Sequence, residues 1–343
     1  MTDNSLYLFS FFIAFACSVI TVPIFRAVAI KLKILDNPIT QVKTHKVSTP
    51  YLGGAAIALA WLITLMIIRQ ISDFPTGTLR SLRGIIYASS LIMLLGLIDD
   101  IKHKGLGYKS KLLIQSLAAA IVVIGFDIRI NFISSYYPSV IVSMLWVIGI
   151  TNALNIIDIM DGLSSGIGFI VSLGFLFISL PTEMIYVNFC AAALAGALLG
   201  FIPYNLSSSK KIFMGDMGSL FIGLILSALA MGTSYTKISE IGSFAPLLIL
   251  AVPIYETFLV SWLRIRKGKS PFVGSKDHYA LRLEKVGFSR KKILVITYIV
   301  CIILSVSAYC FTVLDITYSI MLFSVILIAL LIISMELSSI KVE

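Results

Sequence analysis

At 343 residues, with 58% hydrophobic and 13% charged side chains and a mean hydropathy of +1.00, the chain is too apolar for a soluble globular protein. Its net charge of +10 is ascribed to membrane topology and anionic lipid headgroups, so membrane lipids are expected partners and nucleic acid is not. Soluble enzymes and nucleic-acid modules drop out, and a polytopic membrane protein remains.

Apolar runs of about 17 to 25 residues, the length that crosses a bilayer core as helix, recur from end to end. They predict an all-α integral membrane protein with eleven transmembrane helices, over residues 6–28, 52–68, 84–98, 112–127, 138–157, 163–180, 185–204, 217–235, 244–263, 293–313 and 316–335. The first run follows Met1-Thr2-Asp3-Asn4 without a basic flank and is too long for a signal peptide, so it is expected to stay in the mature protein. Cys17, Cys190, Cys301 and Cys310 lie inside spans and form no CxxC pair, which argues for packing thiols rather than disulfides or metal ligands.

Eleven spans place the termini on opposite sides. Arg26, residues 29–51, 99–111, 158–162, 205–216 and 264–292 and the tail hold 22 of the 27 Lys and Arg residues; the other set of connections holds 5. The positive-inside rule makes the first set cytoplasmic, with the N-terminus outside and the C-terminus inside. Residues 1–343 read as a single catalytic membrane domain whose cytoplasmic loops build the active site.

Taken in chain order, those loops carry the polar chemistry. In "KTHKVSTPYLGGAAI", Lys43, His45 and Lys46 precede Gly53 and Gly54, a combination of basic residues and glycine at a helix start that suits an anion. "LGLIDDIKHKG" ends an apolar run on Asp99 and Asp100, which are costly there unless something stabilises them. In "NALNIIDIMDGLSSG", Asn152, Asn155, Asp158 and Asp161 recur every third residue and form a polar stripe, readable as an inter-helix hydrogen-bond network or as a site. "IFMGDMGSLFIG" sets Asp216 between Gly215 and Gly218 at a helix start, where it reads as a cap or as a ligand beside bent backbone.

Five carboxylates ending on one face would repel one another unless cations sat among them, and Mg2+ with substrate phosphate oxygens answers that need. The opposite charge lies in residues 264–292, where Arg264, Arg266, Lys269, His278 and Arg282 form a candidate diphosphate clamp. Arg290, Lys291 and Lys292 read as solvated loop residues, as do Asp36, Glu284 and His103.

In order, "HKVSTPYLGG", "GLIDD", "GYKSKLLIQ", "NALNIIDIMDGLSSG", "GFIPYNLSSSKKIFMGDMGS" and "KGKSPFVGSKDH" resemble the polyprenyl-phosphate N-acetylhexosamine-1-phosphate transferases over residues 43–290. The resemblance implies transfer of a sugar-1-phosphate from a UDP-amino sugar to undecaprenyl phosphate, with release of UMP and with Mg2+, or Mn2+ in its place. It points to the branch using UDP-N-acetylglucosamine, at the cytoplasmic face of a bacterial inner membrane, and a homodimer is among the partners it admits. By position it gives Asp99, Asp100 and Asp216 catalytic roles, Asp216 and Asp158 metal roles, and Lys46, Lys111, Asn152, Asn155, Asp161, Asn205 and His278 substrate roles. Where relatives often carry a histidine cluster, this chain has Ala280 and Leu281, and Arg282 is the candidate substitute; Glu256 stands where many relatives have Asp.

Whether Asp99 or Asp100 acts as a base, a metal ligand or a positioning group is left open by the residues. Three alternatives accompany this reading: a phospho-N-acetylmuramoyl-pentapeptide transferase, an ion-coupled transporter, and a membrane scaffold. A transporter places ionisable groups near the bilayer midplane, where only Glu256 is expected here, and a scaffold leaves the Asp and Gly pattern unexplained.

Overall fold

The computed structural model describes residues 3–36, 48–102, 105–182, 184–233, 235, 240–272, 274–340 and 342. It is almost wholly helical: α1 (Asp3–Lys31), α2 (Gly53–Ile71), α3 (Thr76–Ile101), α4 (Tyr108–Ala120), α5 (Tyr136–Ile156), α6 (Leu163–Ser179), α7 (Ile185–Asn205), α8 (Gly215–Gly232), α9 (Ala245–Ile249), α10 (Ala251–Arg266), α11 (Tyr279–Lys285), α12 (Arg290–Val313) and α13 (Ile316–Ser339). Two short antiparallel strands, β1 (Leu35–Asp36) and β2 (Thr49–Pro50), pair Leu35 with Pro50 and Asp36 with Thr49.

Among the described residues nine helices are long and apolar enough to cross a membrane, and the bent pair Ile241–Ile249 and Ala251–Arg266 makes ten when it is counted as one span. The 17-residue α6 occupies the remaining predicted run. The predicted straight span over 244–263 is therefore corrected: the chain bends by 70° at Leu250, between Pro246 and Pro253. Pro253 has no N–H for the carbonyl four residues back, so the bend falls where helix continuity is already weakened. The predicted span 112–127 likewise ends in a π-helical turn, Ile121–Gly125.

α8 is the axis of the bundle. Every residue from Met217 to Gly232 is buried, with α2, α3 and α5 packed around it. Lipid tails are as apolar as leucine, so helices associate by close packing of small residues rather than by escaping water. Gly54 of α2 lies against the backbone at Gly218, and Gly96 of α3 against the backbone at Met217; a Cβ at either position would collide with that backbone. The close approach draws the acidic end of α3 to the first turn of α8. α1 packs on α7 and α2, α6 on α7, and α12 on α6 and α9. α13 stands apart, with only Ser319 and Leu337 buried.

Candidate active site

The site is assembled around the start of α8. Gly215 has φ +71°, a left-handed conformation, and any side chain there would strike Asp100. The Asp100 carboxylate accepts the N–H of Asp216 at 2.9 Å and of Met217 at 3.2 Å, so the end of α3 satisfies amides that the first turn leaves without helical partners. Asp99 turns the other way. Its Oδ1 accepts the Leu106 N–H and its Oδ2 meets Lys111 Nζ at 2.7 Å; the same ammonium reaches Asp216 Oδ2 at 2.8 Å. Asn155 Nδ2 donates to Asp216 Oδ1 at 2.9 Å and to Ser219 Oγ at 3.0 Å. Side chains from α4 and α5 thus fix the Asp216 carboxylate from two sides.

Beside this cluster lies a cavity of about 270 Å³ at the end of the bundle where α3, α5 and α7 finish and α6, α8 and α12 begin. Asp36, Asp100, Asp158, Asp161 and Asp216 line it, opposed by Lys211, His278 and Arg290, with Tyr51 and Phe213 as aromatic walls. Lys211 Nζ meets Asp161 Oδ2 at 2.6 Å and also lies over the Phe213 ring. Asp158 is half-buried, and among the described residues its carboxylate has no hydrogen-bond or ion-pair partner. Burial, followed by the charges of Asp216 and Asp161, pushes its pKa up to about 8. Tyr51 is pushed well above the usual phenol range by burial and then by Asp36, to which it hydrogen-bonds. No group of three or more His, Cys, Asp or Glu side chains among the described residues could hold a metal ion. A cation here would therefore draw ligands from a bound molecule and water as well as from the protein, the habit of Mg2+ at phosphate sites.

The structure sorts the sequence-predicted residues. Asp100, Asp158, Asp161, Asn205, Asp216 and His278 border the cavity; Asp99, Lys111 and Asn155 stand behind it, joined through Asp216. Lys46 lies outside the described residues, as do Lys43, His45 and His103. Asn205 has both ends of its amide engaged, accepting from Gly162 N at 2.6 Å and donating to Ile212 O at 3.0 Å, so it ties the turn before α6 to the segment before α8.

Two substrate assignments are corrected. Asn152 does not reach the cavity: it exchanges hydrogen bonds with Gln115 and donates to Ile148 O, and joins α4 to α5. Arg282, expected at a diphosphate, is 2% exposed and turned inward. Its guanidinium meets Asp277 Oδ1 at 2.7 Å and donates to the carbonyls of Leu337 and Ile340, which fastens the end of α13. Arg264 is also structural, donating to Ser275 Oγ and Pro271 O. Of the five predicted clamp residues, His278 alone lines the cavity.

Conversely, Asp36 and Arg290, read from sequence as solvated, are cavity residues. The β1–β2 pairing folds Asp36 inward, and α12 begins with Arg290 at the rim. Lys211 and Phe213 were missed although they stand five and three residues before Asp216; their proximity to it was the available signal. A second cavity of about 550 Å³ lies at the opposite end of α8, lined by residues such as Trp146, Met231 and Phe244 and by no charged side chain.

The molecule is thus a polytopic membrane protein that brings five carboxylates and three basic side chains around one cavity at one end of a helical bundle. The sequence profile described as glycosyl transferase family 4 matches residues 82–234, a stretch containing Asp99, Asp100, Asp158, Asp161 and Asp216. The chain is 31% identical over 312 residues to the probable undecaprenyl-phosphate N-acetylglucosaminyl 1-phosphate transferase of Bacillus subtilis (strain 168), a match spanning 86% of this chain and 83% of that protein. It is 29% identical over 314 residues to the decaprenyl-phosphate N-acetylglucosaminephosphotransferase of Mycolicibacterium smegmatis, spanning 80% and 74%. It is also 32% identical over 329 residues to the phospho-N-acetylmuramoyl-pentapeptide-transferase of Clostridium botulinum (strain Eklund 17B / Type B), spanning 88% and 96%. The chain belongs to glycosyl transferase family 4.

Proposed function

We propose that the protein transfers N-acetylglucosamine-1-phosphate from the UDP-sugar to undecaprenyl phosphate and releases UMP, as an initiating membrane step of cell-envelope polysaccharide synthesis such as that of lipopolysaccharide. The observation that carries this reading is the meeting of Asp100, Asp158, Asp161 and Asp216 with Lys211, His278 and Arg290 in one cavity of a family 4 chain. Two of the relatives reported above are named as acting on a prenyl phosphate and N-acetylglucosamine. The excess of Lys and Arg in the loops on the cavity's side supports a cytoplasmic site in the bacterial plasma membrane. Membrane lipid surrounds the bundle in this reading, and a homodimer is compatible with it.

The lipid phosphate oxygen attacks the β-phosphorus of the UDP-sugar; a P–O bond forms there, and the bond to the bridging oxygen breaks with its electron pair leaving on UMP. A phosphate monoester with a second pKa near ~6 is largely dianionic at neutral pH, so the nucleophile does not depend on a protein base. Asp99 and Asp100 suit positioning better than proton abstraction, because the oxygens of each already accept hydrogen bonds from protein groups. Lys211, paired with Asp161, Arg290, paired with Glu284, and His278 line the cavity and in this reading receive negative charge on the diphosphate. Lys111 and Asn155 hold Asp216 in one orientation, which limits reorganisation during transfer. The unpartnered Asp158 carboxylate beside Asp216 fits a hard divalent cation, and these two residues would hold Mg2+, or Mn2+, which when bound neutralises diphosphate charge.

Purified protein should release UMP from UDP-N-acetylglucosamine only when polyprenyl phosphate and Mg2+ are both present. The pentapeptide transferase match covers nearly all of that relative, so UDP-N-acetylmuramoyl-pentapeptide belongs in the donor panel. Ion flux without sugar nucleotide would favour a transporter instead.

A further inference from the structure

Glu256 sits in the apolar α10, is fully buried, and does not border the cavity. An unpaired carboxylate there would be costly, so its partners reveal what it is for. Its Oε1 lies 2.7 Å from His278 Nδ1, and its Oε2 accepts the N–H of Tyr279 at 3.2 Å. Both contacts fall on the segment that returns from α10 to the cavity and opens α11. A carboxylate that accepts at both oxygens makes Nδ1 the donor, which fixes the imidazole tautomer and ring angle. His278 lines the cavity, and among the described residues no protein group meets its Nε2.

Two further anchors hold the same segment. Tyr279 Oη and Thr297 Oγ1 are 2.8 Å apart, which ties α11 to α12. Asp277, directly before His278, is held by Lys267 and Arg282, each at 2.7 Å. Burial pushes the Asp277 carboxyl up, but Lys267, Ser275 and Arg282 prevail and leave it below the usual carboxylate range. These anchors fix the backbone on both sides of His278, while Glu256 supplies a hydrogen bond to the ring itself.

We infer that Glu256 is a positioning residue for the transfer reaction, a buried carboxylate that locks His278 so that Nε2 is presented to the diphosphate of the nucleotide sugar. The inference rests on the cavity being the donor site. It explains why an acid persists in an apolar helix away from the other carboxylates, and why His278 is held although Arg282 and Arg264 face elsewhere.

The test uses full-length protein in lipid nanodiscs. Diethyl pyrocarbonate modifies accessible imidazole nitrogen, and the chain has 3 histidines, so mass spectrometry resolves His278 from His45 and His103. In the unsubstituted protein His278 should be modified, and UDP-N-acetylglucosamine should protect it. In Glu256→Gln the His278 modification rate should fall about threefold or more while the other two histidines are unchanged, and kcat should fall roughly tenfold with KM for the lipid phosphate unmoved. In a His278→Gln background, adding Glu256→Gln should cost less than about twofold further, since the two act as a unit. Unchanged His278 labelling in Glu256→Gln would overturn the inference, as would effects that multiply in the double variant. If His278→Gln leaves too little turnover to read, the labelling result decides. Labelling that depends on Glu256 but is not protected by nucleotide sugar upholds the pair and overturns the donor site. Should Glu256→Gln not fold, Glu256→Met, close in length but without an acceptor for Nδ1, is read in the same way.

Discussion

α8 and α13 are both apolar helices long enough to span a membrane, yet one is buried along nearly its whole length and the other buries only Ser319 and Leu337. The difference lies in residue size and in what stands at the helix ends. α8 carries Gly218, Ser219, Gly223, Ser227 and Ala228, so neighbouring backbones come close, and its first turn receives Asp100, Lys111 and Asn155. α13 is an Ile- and Leu-rich rod whose large side chains face outward, fastened near its end by Arg282. Hydropathy says that a helix enters the membrane; small residues and end-group chemistry say which helix the site is built on.

The sharpest way to break that comparison is Asp216→Asn, which removes the ion pair with Lys111 at constant volume. Turnover measured as UMP release should fall about a thousandfold while helical content by circular dichroism is unchanged. Lys111→Met comes next: Asp99 and Asp216 lose their shared cation, and the rate should fall roughly a hundredfold, with Lys111→Arg recovering part of it. Gly54→Leu drives a side chain into the α8 backbone at Gly218 and should cost about 3 kcal/mol or prevent accumulation of folded protein, read by thermal unfolding in detergent.

A smaller effect concerns Asp158. Its folded pKa of about 8 lies above the ordinary value of 3.8, so the folded protein binds the proton more tightly than the unfolded chain, and stability falls as pH rises between those values. Without divalent cation, the melting temperature should drop by about 2 to 4 °C between pH 6.5 and 8.5. Asp158→Asn should flatten that drop, and millimolar Mg2+ should offset it in the unsubstituted protein alone. At the far end of the scale, Ile328→Ala on the exposed face of α13 should change stability by less than about 0.5 kcal/mol and leave turnover unaffected.

The helical class and the positions of most spans were legible because apolar runs of span length leave few alternatives. The convergence of Asp100, Asp158, Asp161 and Asp216 was legible too, since each stands at a helix end and those ends alternate along the chain. The break at Leu250 was less so: Pro246 and Pro253 marked a weak point, but hydropathy is blind to a bend. Basic loop residues could not be sorted into inward and outward groups, because the direction of an arginine depends on tertiary partners. Arg282 found Asp277 and the last carbonyls of α13, whereas Arg290 found the cavity. Asp36 stayed hidden for a similar reason, as the two-residue pairing that turns it inward joins strands separated by residues 37–48.

The central claim is that the nucleotide sugar binds among the carboxylates at the start of α8. Photolabelling with a UDP-N-acetylglucosamine analogue that carries its reactive group close to the diphosphate, followed by peptide mapping, tests it most directly. Labelled peptides covering residues 158–161, 211–216 and 275–290 are the predicted result. Labelling confined to residues 130–146 and 230–247, around the uncharged cavity at the other end of α8, would contradict the account.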